Sequence, residues 1–266
     1  MNTSRSRLTF WFGVCTLMVY VFLLIPIVVV VSIAFSKLTT LSFPPAWFSL
    51  RWFAAFLANN DFMTSFGFSA FLAFVTSLIS TLIGGLAAYG LVRLHFPGQS
   101  GMQVALVGPL YVPRVLIGVS LLLGFAMVHM VGSFAGLLLG HVLITMPYAL
   151  RLIAVGFYGM NRSTEEAAWT LGANRMQTFV KIVLPGMRSS ILGAALFSFI
   201  ISFTDLYLAM FLTGARTVTL PMRIFTYLEW NSDPLVAAVS AVQILLVFGV
   251  AFIVDRTVGL AKFTRF

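Results

Sequence analysis

Three long runs of this sequence carry no charge at all. No acidic or basic residue falls between Leu8 and Ser36, between Phe62 and Val92, or between Pro234 and Val254, and the first of these runs alone holds 29 residues. A helix needs roughly 20 apolar residues to cross a bilayer core about 30 Å thick. Backbone in lipid must also satisfy its own hydrogen bonds, which leaves helices for such runs. The pattern predicts an all-α polytopic membrane protein with about six transmembrane helices. The spans lie within Leu8–Ser36 and Phe62–Val92, then from near Gly101 across Pro109, Pro113 and Arg114 to near His129. The fourth lies within Gly136–Leu150, starting slightly earlier and running on past Arg151 to about Tyr158. The last two lie within Ser189–Leu212 and Pro234–Val254. With 60% hydrophobic and 9% charged residues and a mean hydropathy of +1.03, a soluble domain of this size is excluded.

The net charge of +9 reports orientation rather than nucleic-acid binding, because basic residues collect in cytoplasmic loops and no basic-aromatic recognition motif is present. Six spans put both ends on one side. That side carries Arg5, Arg7, Arg93, Arg151, Arg162, Arg175, Lys181, Arg188, Arg256, Lys262 and Arg265, against Lys37, Arg51, Arg216 and Arg223 on the other. The count predicts cytoplasmic termini. Arg5 and Arg7 before an apolar run resemble a signal peptide, but the run is too long and lacks a small-residue cleavage site, so it reads as an uncleaved span. Cys15 lies inside it and reads as a packing residue. Outside, Pro44–Asn60 reads as an interfacial helix. In Thr219–Pro234, Met222, Phe225 and Leu228 follow helical spacing while Arg223, Glu229 and Asp233 face water. The expected divisions are 1–60, a core at 61–258 and a cytoplasmic tail at 259–266.

One cytoplasmic stretch is unlike the rest. Ser163 and Glu166 have capping-box spacing, which starts a short helix with Ala167, Ala168 and Leu171 on a small face. Gly172 suits a left-handed stop. Asn174 caps a second helix with Met176, Phe179, Val180 and Val183 on its face, and Pro185 separates it from the fifth span. The residues alone fit either an amphipathic interfacial loop or a lever that docks on a partner.

The spacing Glu166-Ala167-Ala168, three residues, Gly172, nine residues, Ile182, one residue, Leu184-Pro185 resembles the cytoplasmic motif of bacterial binding-protein-dependent ABC importer permeases of type I. The resemblance extends from about Trp47 to Asp255. It is strongest to the second permease subunit of spermidine/putrescine-type transporters, carried also by Pro109–Leu122, by Ser202-Phe203-Thr204-Asp205 and by Thr217–Pro221. It implies a coupling helix made of Glu166, Ala167, Ala168 and Gly172, with Glu165 as neighbour, that seats in an ATPase subunit. It further implies a homologous permease partner, two ATP-binding subunits, a periplasmic solute-binding protein and a location in the bacterial inner membrane. The chain has no phosphate-binding loop, so it is expected to be no enzyme by itself and to hold no cofactor, with ATP and Mg bound by partner subunits.

Candidate residues for the translocation path are Arg114, Asp205, Tyr207 and Thr204, because ionisable groups at membrane depth mark pathways or pairs. Related polyamine permeases commonly carry an acid where Arg114 stands and two acids where Asp205 is the one kept. An unpaired Arg114 would repel a cation, so the solute is a polyamine or, given Arg114, an anionic or zwitterionic compound. The structural alternatives are that Arg114 snorkels or meets a carboxylate of the partner permease, and that Asp205 bonds another helix, Arg114 included. Pro109 and Pro113 read as kinks. His129 and His141 are isolated and give no metal spacing. An ion-gradient-driven secondary transporter is the alternative function; it needs coupling carboxylates or repeats that the sequence lacks.

Overall fold

A computed structural model describes residues 2–45 and 47–258, with side chains over 11–45 and 47–256. The expected tail at 259–266, with Lys262 and Arg265, lies outside the described residues, as do the side chains of Arg5 and Arg7. The described chain is helical throughout, apart from loops and one isolated bridge between Ser36 and Phe48. Among the described residues, four helices are long and apolar enough to cross a membrane, and up to six spans result when each of two bent helix pairs counts as one. The backbone forms two compact units, Met1–Met63 with Ile224–Leu246, and Thr64–Arg223 with Val247 onward.

The first unit contains α1 (Asn2–Ala34) and α2 (Arg51–Ala58). Along α1 every side chain at positions 15–26 is exposed, as a helix facing lipid requires, while those at 29–34 are half-buried or buried. The short α2 is amphipathic and buries Trp52 and Phe56. Trp52 Nε1 donates to the Leu38 carbonyl at 3.2 Å and Arg51 Nη1 to that of Lys37 at 3.0 Å, which ties α2 to the preceding loop. Phe62, at the start of α3 (Asn60–Arg93), packs edge-on against Tyr227 of α12 (Leu220–Trp230), with ring centroids 5.3 Å apart. The Tyr227 hydroxyl donates to Asp233 Oδ2 at 2.7 Å, and Asp233 Oδ1 accepts from Leu235 N at the start of α13 (Leu235–Val258). Asp233 therefore caps a helix instead of facing water. Burial first, then this carboxylate, pushes the Tyr227 phenol up to about 12.

The second unit holds most of α3 and the helices α4 (Gln99–Val107), α5 (Arg114–Met127) and α6 (Phe134–Gly159). It continues through α7 (Ser163–Thr170), α8 (Arg175–Thr178), α9 (Leu184–Gly186), α10 (Arg188–Thr204) and α11 (Tyr207–Leu212). One apolar cluster joins Ala149, Leu150, Ile153 and Phe157 of α6 to Val183, Met187 and Ala194; another joins Leu72, Ile117, Leu137, Ile144, Leu208 and Leu212. Ser80 lies 2.7 Å from Thr145, hydroxyl to hydroxyl, and His141 Nδ1 lies 2.8 Å from Ser202 Oγ, so α3, α6 and α10 are also linked by polar groups. His141 is thus a bonded core residue rather than an isolated one.

Two spans are broken. The third turns by 104° between Gln99–Tyr111 and Arg114–Met127. Pro113 forces Val112 into extended backbone, φ −95° and ψ 130°, which ends the helical path. At 14 residues, α5 reaches only roughly 21 Å, too short to cross alone. The chain bends by 66° at Met187, where α9 gives way to α10, and the fifth span opens within itself at Asp205, with φ −73° and ψ 121°. Pro185 lies within α9, so the bend comes two residues after the proline. Irregular backbone at this depth persists only where protein buries it or a cavity receives it.

The helices α3 and α6 approach closely at Gly84, where a Cβ would stand 2.8 Å from Leu150 N and 3.1 Å from the Met146 carbonyl. Backbone cannot yield as a side-chain tip can. Gly84→Leu is expected to cost roughly 3 kcal/mol or more and to reduce the yield of folded protein severalfold, read by size-exclusion chromatography in detergent. An unchanged monodisperse yield would contradict this contact.

Candidate functional site

The stretch after α6 folds into two short helices around Gly172, and its details differ from the sequence expectation. Ser163 and Glu166 form no capping box. Asn161 Oδ1 accepts from Ser163 N at 3.0 Å, and the Glu166 carboxylate swings to Arg162 at 3.6 Å instead. The real capping box belongs to α8: Asn174 Oδ1 accepts from Gln177 N at 2.8 Å, and Gln177 Oε1 accepts from Asn174 N at 3.0 Å. Gly172 takes φ +87°. Its N–H donates to Trp169 at 2.9 Å and that of Ala173 to Ala168 at 3.0 Å, the paired bonds that close a helix on a left-handed residue.

Helical geometry divides the motif between two faces. Glu165 and Ala168, three apart, are buried, whereas Glu166 and Ala167 are exposed. Leu171 is 88% exposed. The expected small face of Ala167, Ala168 and Leu171 is therefore split, with Ala168 packed inward. The second face is split too: Phe179 is half-buried and Val183 buried, while Met176 and Val180 are exposed. A π-helical turn at Phe179–Val183 adds a residue to the turn before Pro185 and shifts the register. Ala167, Leu171, Met176 and Val180 are left as outward apolar positions.

Glu165 is anchored by Arg93, at the end of α3. Nη2 of Arg93 lies 2.6 Å from Glu165 Oε1, with side chains 11% and 7% exposed. The approach is off the hydrogen-bonding direction, so the contact is an ion pair without an aligned hydrogen bond. The guanidinium also lies 5.5 Å from the Phe157 ring. By sequence Arg93 is only one more loop charge, since nothing local ties it to an acid 72 positions away.

Inside the spans, Arg114 and Asp205 meet. Arg114 Nη1 donates to Asp205 Oδ1 at 3.0 Å, and Leu208 N donates to Oδ2 at 2.8 Å. The carboxylate is 0% exposed and the arginine side chain 35% exposed. Each residue stands at a helix break, which frees the backbone to bring them together. Thr204 and Tyr207 flank Asp205 but are exposed; Thr204 Oγ1 donates to the Ile200 carbonyl at 2.8 Å. Arg151 Nη2 donates to the Tyr111 hydroxyl at 3.0 Å, a bridge from α6 to the broken third span that no local pattern foretells.

The family described as "Binding-protein-dependent transport system inner membrane component" matches residues 80–260, which includes the whole α7–α9 element. The chain belongs to this family. The permease is 32% identical over 250 residues to the putrescine transport system permease protein PotI of Escherichia coli (strain K12), covering 91% of this chain and 89% of the relative. It is 31% identical over 230 residues to the spermidine/putrescine transport system permease protein PotC of Haemophilus influenzae, covering 86% and 88%. Among solved structures, a bacterial ABC transporter that imports the acidic polysaccharide alginate matches with a TM-score of 0.70 at 18% identity, over 96% of this chain and 98% of that one. The MetNI methionine ABC transporter matches at 0.61 and 16%, over 74% and 94%. These two share the fold. The permease is thus an all-α membrane subunit of an ABC importer and a transport component rather than an enzyme. The secondary-transporter alternative falls away.

Proposed function

We propose that the permease forms half of a solute path with a homologous permease. Two ATPase subunits sit on the cytoplasmic side, one of them docked on the α7–α8 element of this chain, and a periplasmic binding protein delivers solute from outside. In this reading both termini are cytoplasmic, 61–258 is the transport core, and Glu165, Glu166, Ala167, Ala168 and Gly172 couple it to the ATPase. The observation that carries it is the division of α7. Glu165 and Ala168 fix the helix to the permease, while Ala167 and Leu171 stand outward for a partner. ATP binding would move the helix, and the pinned Glu165 would pass that movement to α3.

The solute we propose is a small polyamine. An isolated Arg114 would favour an anion, but a carboxylate 3.0 Å away cancels its charge, and the named relatives carry putrescine and spermidine. Thr204 and Tyr207, exposed beside this pair, would line the path with the open side of Arg114, and Asp205 would hold Arg114 from behind. The test is uptake of radiolabelled putrescine into proteoliposomes that hold the complete transporter and its binding protein. Uptake should require ATP and compete with spermidine but not with sulfate. Competition by sulfate alone, or uptake driven by an ion gradient without ATPases, would overturn the assignment.

A further inference from the structure

Behind α7, the second unit holds a cavity of about 110 Å³ whose wall includes Arg93, Arg162 and Arg175, one carboxylate, Glu165, and the aromatic rings of Tyr89 and Trp169. The three arginines are differently engaged. Arg93 meets Glu165 through Nη2, while its Nε is buried with no hydrogen-bond acceptor. Arg162 reaches Glu166 at 3.6 Å, with both side chains more than half exposed, and such a pair contributes little. Arg175 has no acidic partner among the described residues. Three guanidinium groups thus face one carboxylate, and buried donors without acceptors are rare in folded proteins.

This chemistry suits a tetrahedral oxyanion. Arginine forks match phosphate oxygens in paired hydrogen bonds. The cavity has room for a phosphate group. Tryptophan and tyrosine are the residues that settle at headgroup depth, and basic pockets between helices on the cytoplasmic side receive anionic headgroups. We propose that this pocket binds a phosphate group, supplied by the headgroup of an anionic phospholipid in the cytoplasmic leaflet. Bound there, the phosphate bridges α3, α7 and α8 and holds α7 in place for its partner. The leaflet rests on the orientation proposed above; the pocket's preference for phosphate does not.

The experiment compares the complete transporter with its Arg162→Gln/Arg175→Gln variant, which leaves the Arg93–Glu165 pair intact. Both are purified from mixed phosphatidylcholine and phosphatidylglycerol, and retained lipid is counted by native mass spectrometry. Wild type should retain phosphatidylglycerol preferentially, and the variant should lose roughly tenfold of that preference. In phosphatidylcholine alone, stabilisation of wild type but not of the variant by millimolar inorganic phosphate would also support the site, with a free anion as the source. Equal lipid retention with no phosphate response overturns the proposal. So does unchanged retention combined with loss of ATPase subunits from the variant, which would assign the arginines to a partner's carboxylate. Neither readout involves transport, so a failed putrescine assay would leave this result standing.

Discussion

Asp205→Ala should destabilise the permease by about 3 kcal/mol, the lower end of the range for breaking a buried ion pair because Arg114 is 35% exposed. The substitution strands the guanidinium and also removes the acceptor of Leu208 N, at a helix break where no neighbouring turn replaces it. For a chain of this size the expected fall in Tm is roughly 6–12 °C, measured by thermal unfolding in detergent. Asp205→Asn keeps an oxygen for Leu208 N and should lose less. Arg114→Met/Asp205→Asn removes both charges and should recover at least half of the loss, since the cost lies in an uncompensated charge more than in a missing bond. A Tm shift below about 2 °C in Asp205→Ala would mean that the pair does not hold the two broken spans together.

This pair shows what the sequence could and could not carry. The spans were legible because bilayer thickness acts on uninterrupted apolar length, and α1, α3, α6 and α13 appear where the uncharged runs stand. Gly172 and Asn174 were legible because their effects are local: a left-handed stop and a side-chain cap need only the nearest residues. The Ser163–Glu166 box misled because Asn161, two residues upstream, takes the Ser163 N–H that the Glu166 carboxylate would have accepted. The facing of α7 and α8 was only half legible. Alanines at consecutive positions cannot share a helix face, and the π-helical turn before Pro185 rotates the residues beyond it. Arg93–Glu165 was beyond reach as a pair, since it joins elements brought together only by packing and Arg93 stands at a helix end like any loop charge. Arg114 and Asp205 drew notice because charge at membrane depth is costly; their pairing was one of the structural alternatives open to Asp205, and it is the one the structure shows.

The second large effect concerns α7. Ala167 is exposed, so a bulky side chain there meets nothing in the permease itself and should leave Tm within about 2 °C of wild type. Ala168 is 7% exposed, and Ala168→Trp should instead destabilise by overpacking, at roughly 1–3 kcal/mol. Gly172→Leu forces a branched side chain into φ +87°, a strain of about 1–2 kcal/mol placed at the turn between the two helices. Of the three, only Ala167→Trp separates docking from folding.

The decisive measurement is therefore ATP hydrolysis by the reconstituted transporter, with and without loaded binding protein, for wild type and Ala167→Trp at matched Tm. Wild type should be strongly stimulated. Ala167→Trp should lose at least roughly tenfold of the stimulated rate, equivalent to about 1.4 kcal/mol of lost coupling. Uptake should fall in step. Full stimulation and normal uptake in Ala167→Trp would contradict the claim that this face of α7 is the seat of the ATPase.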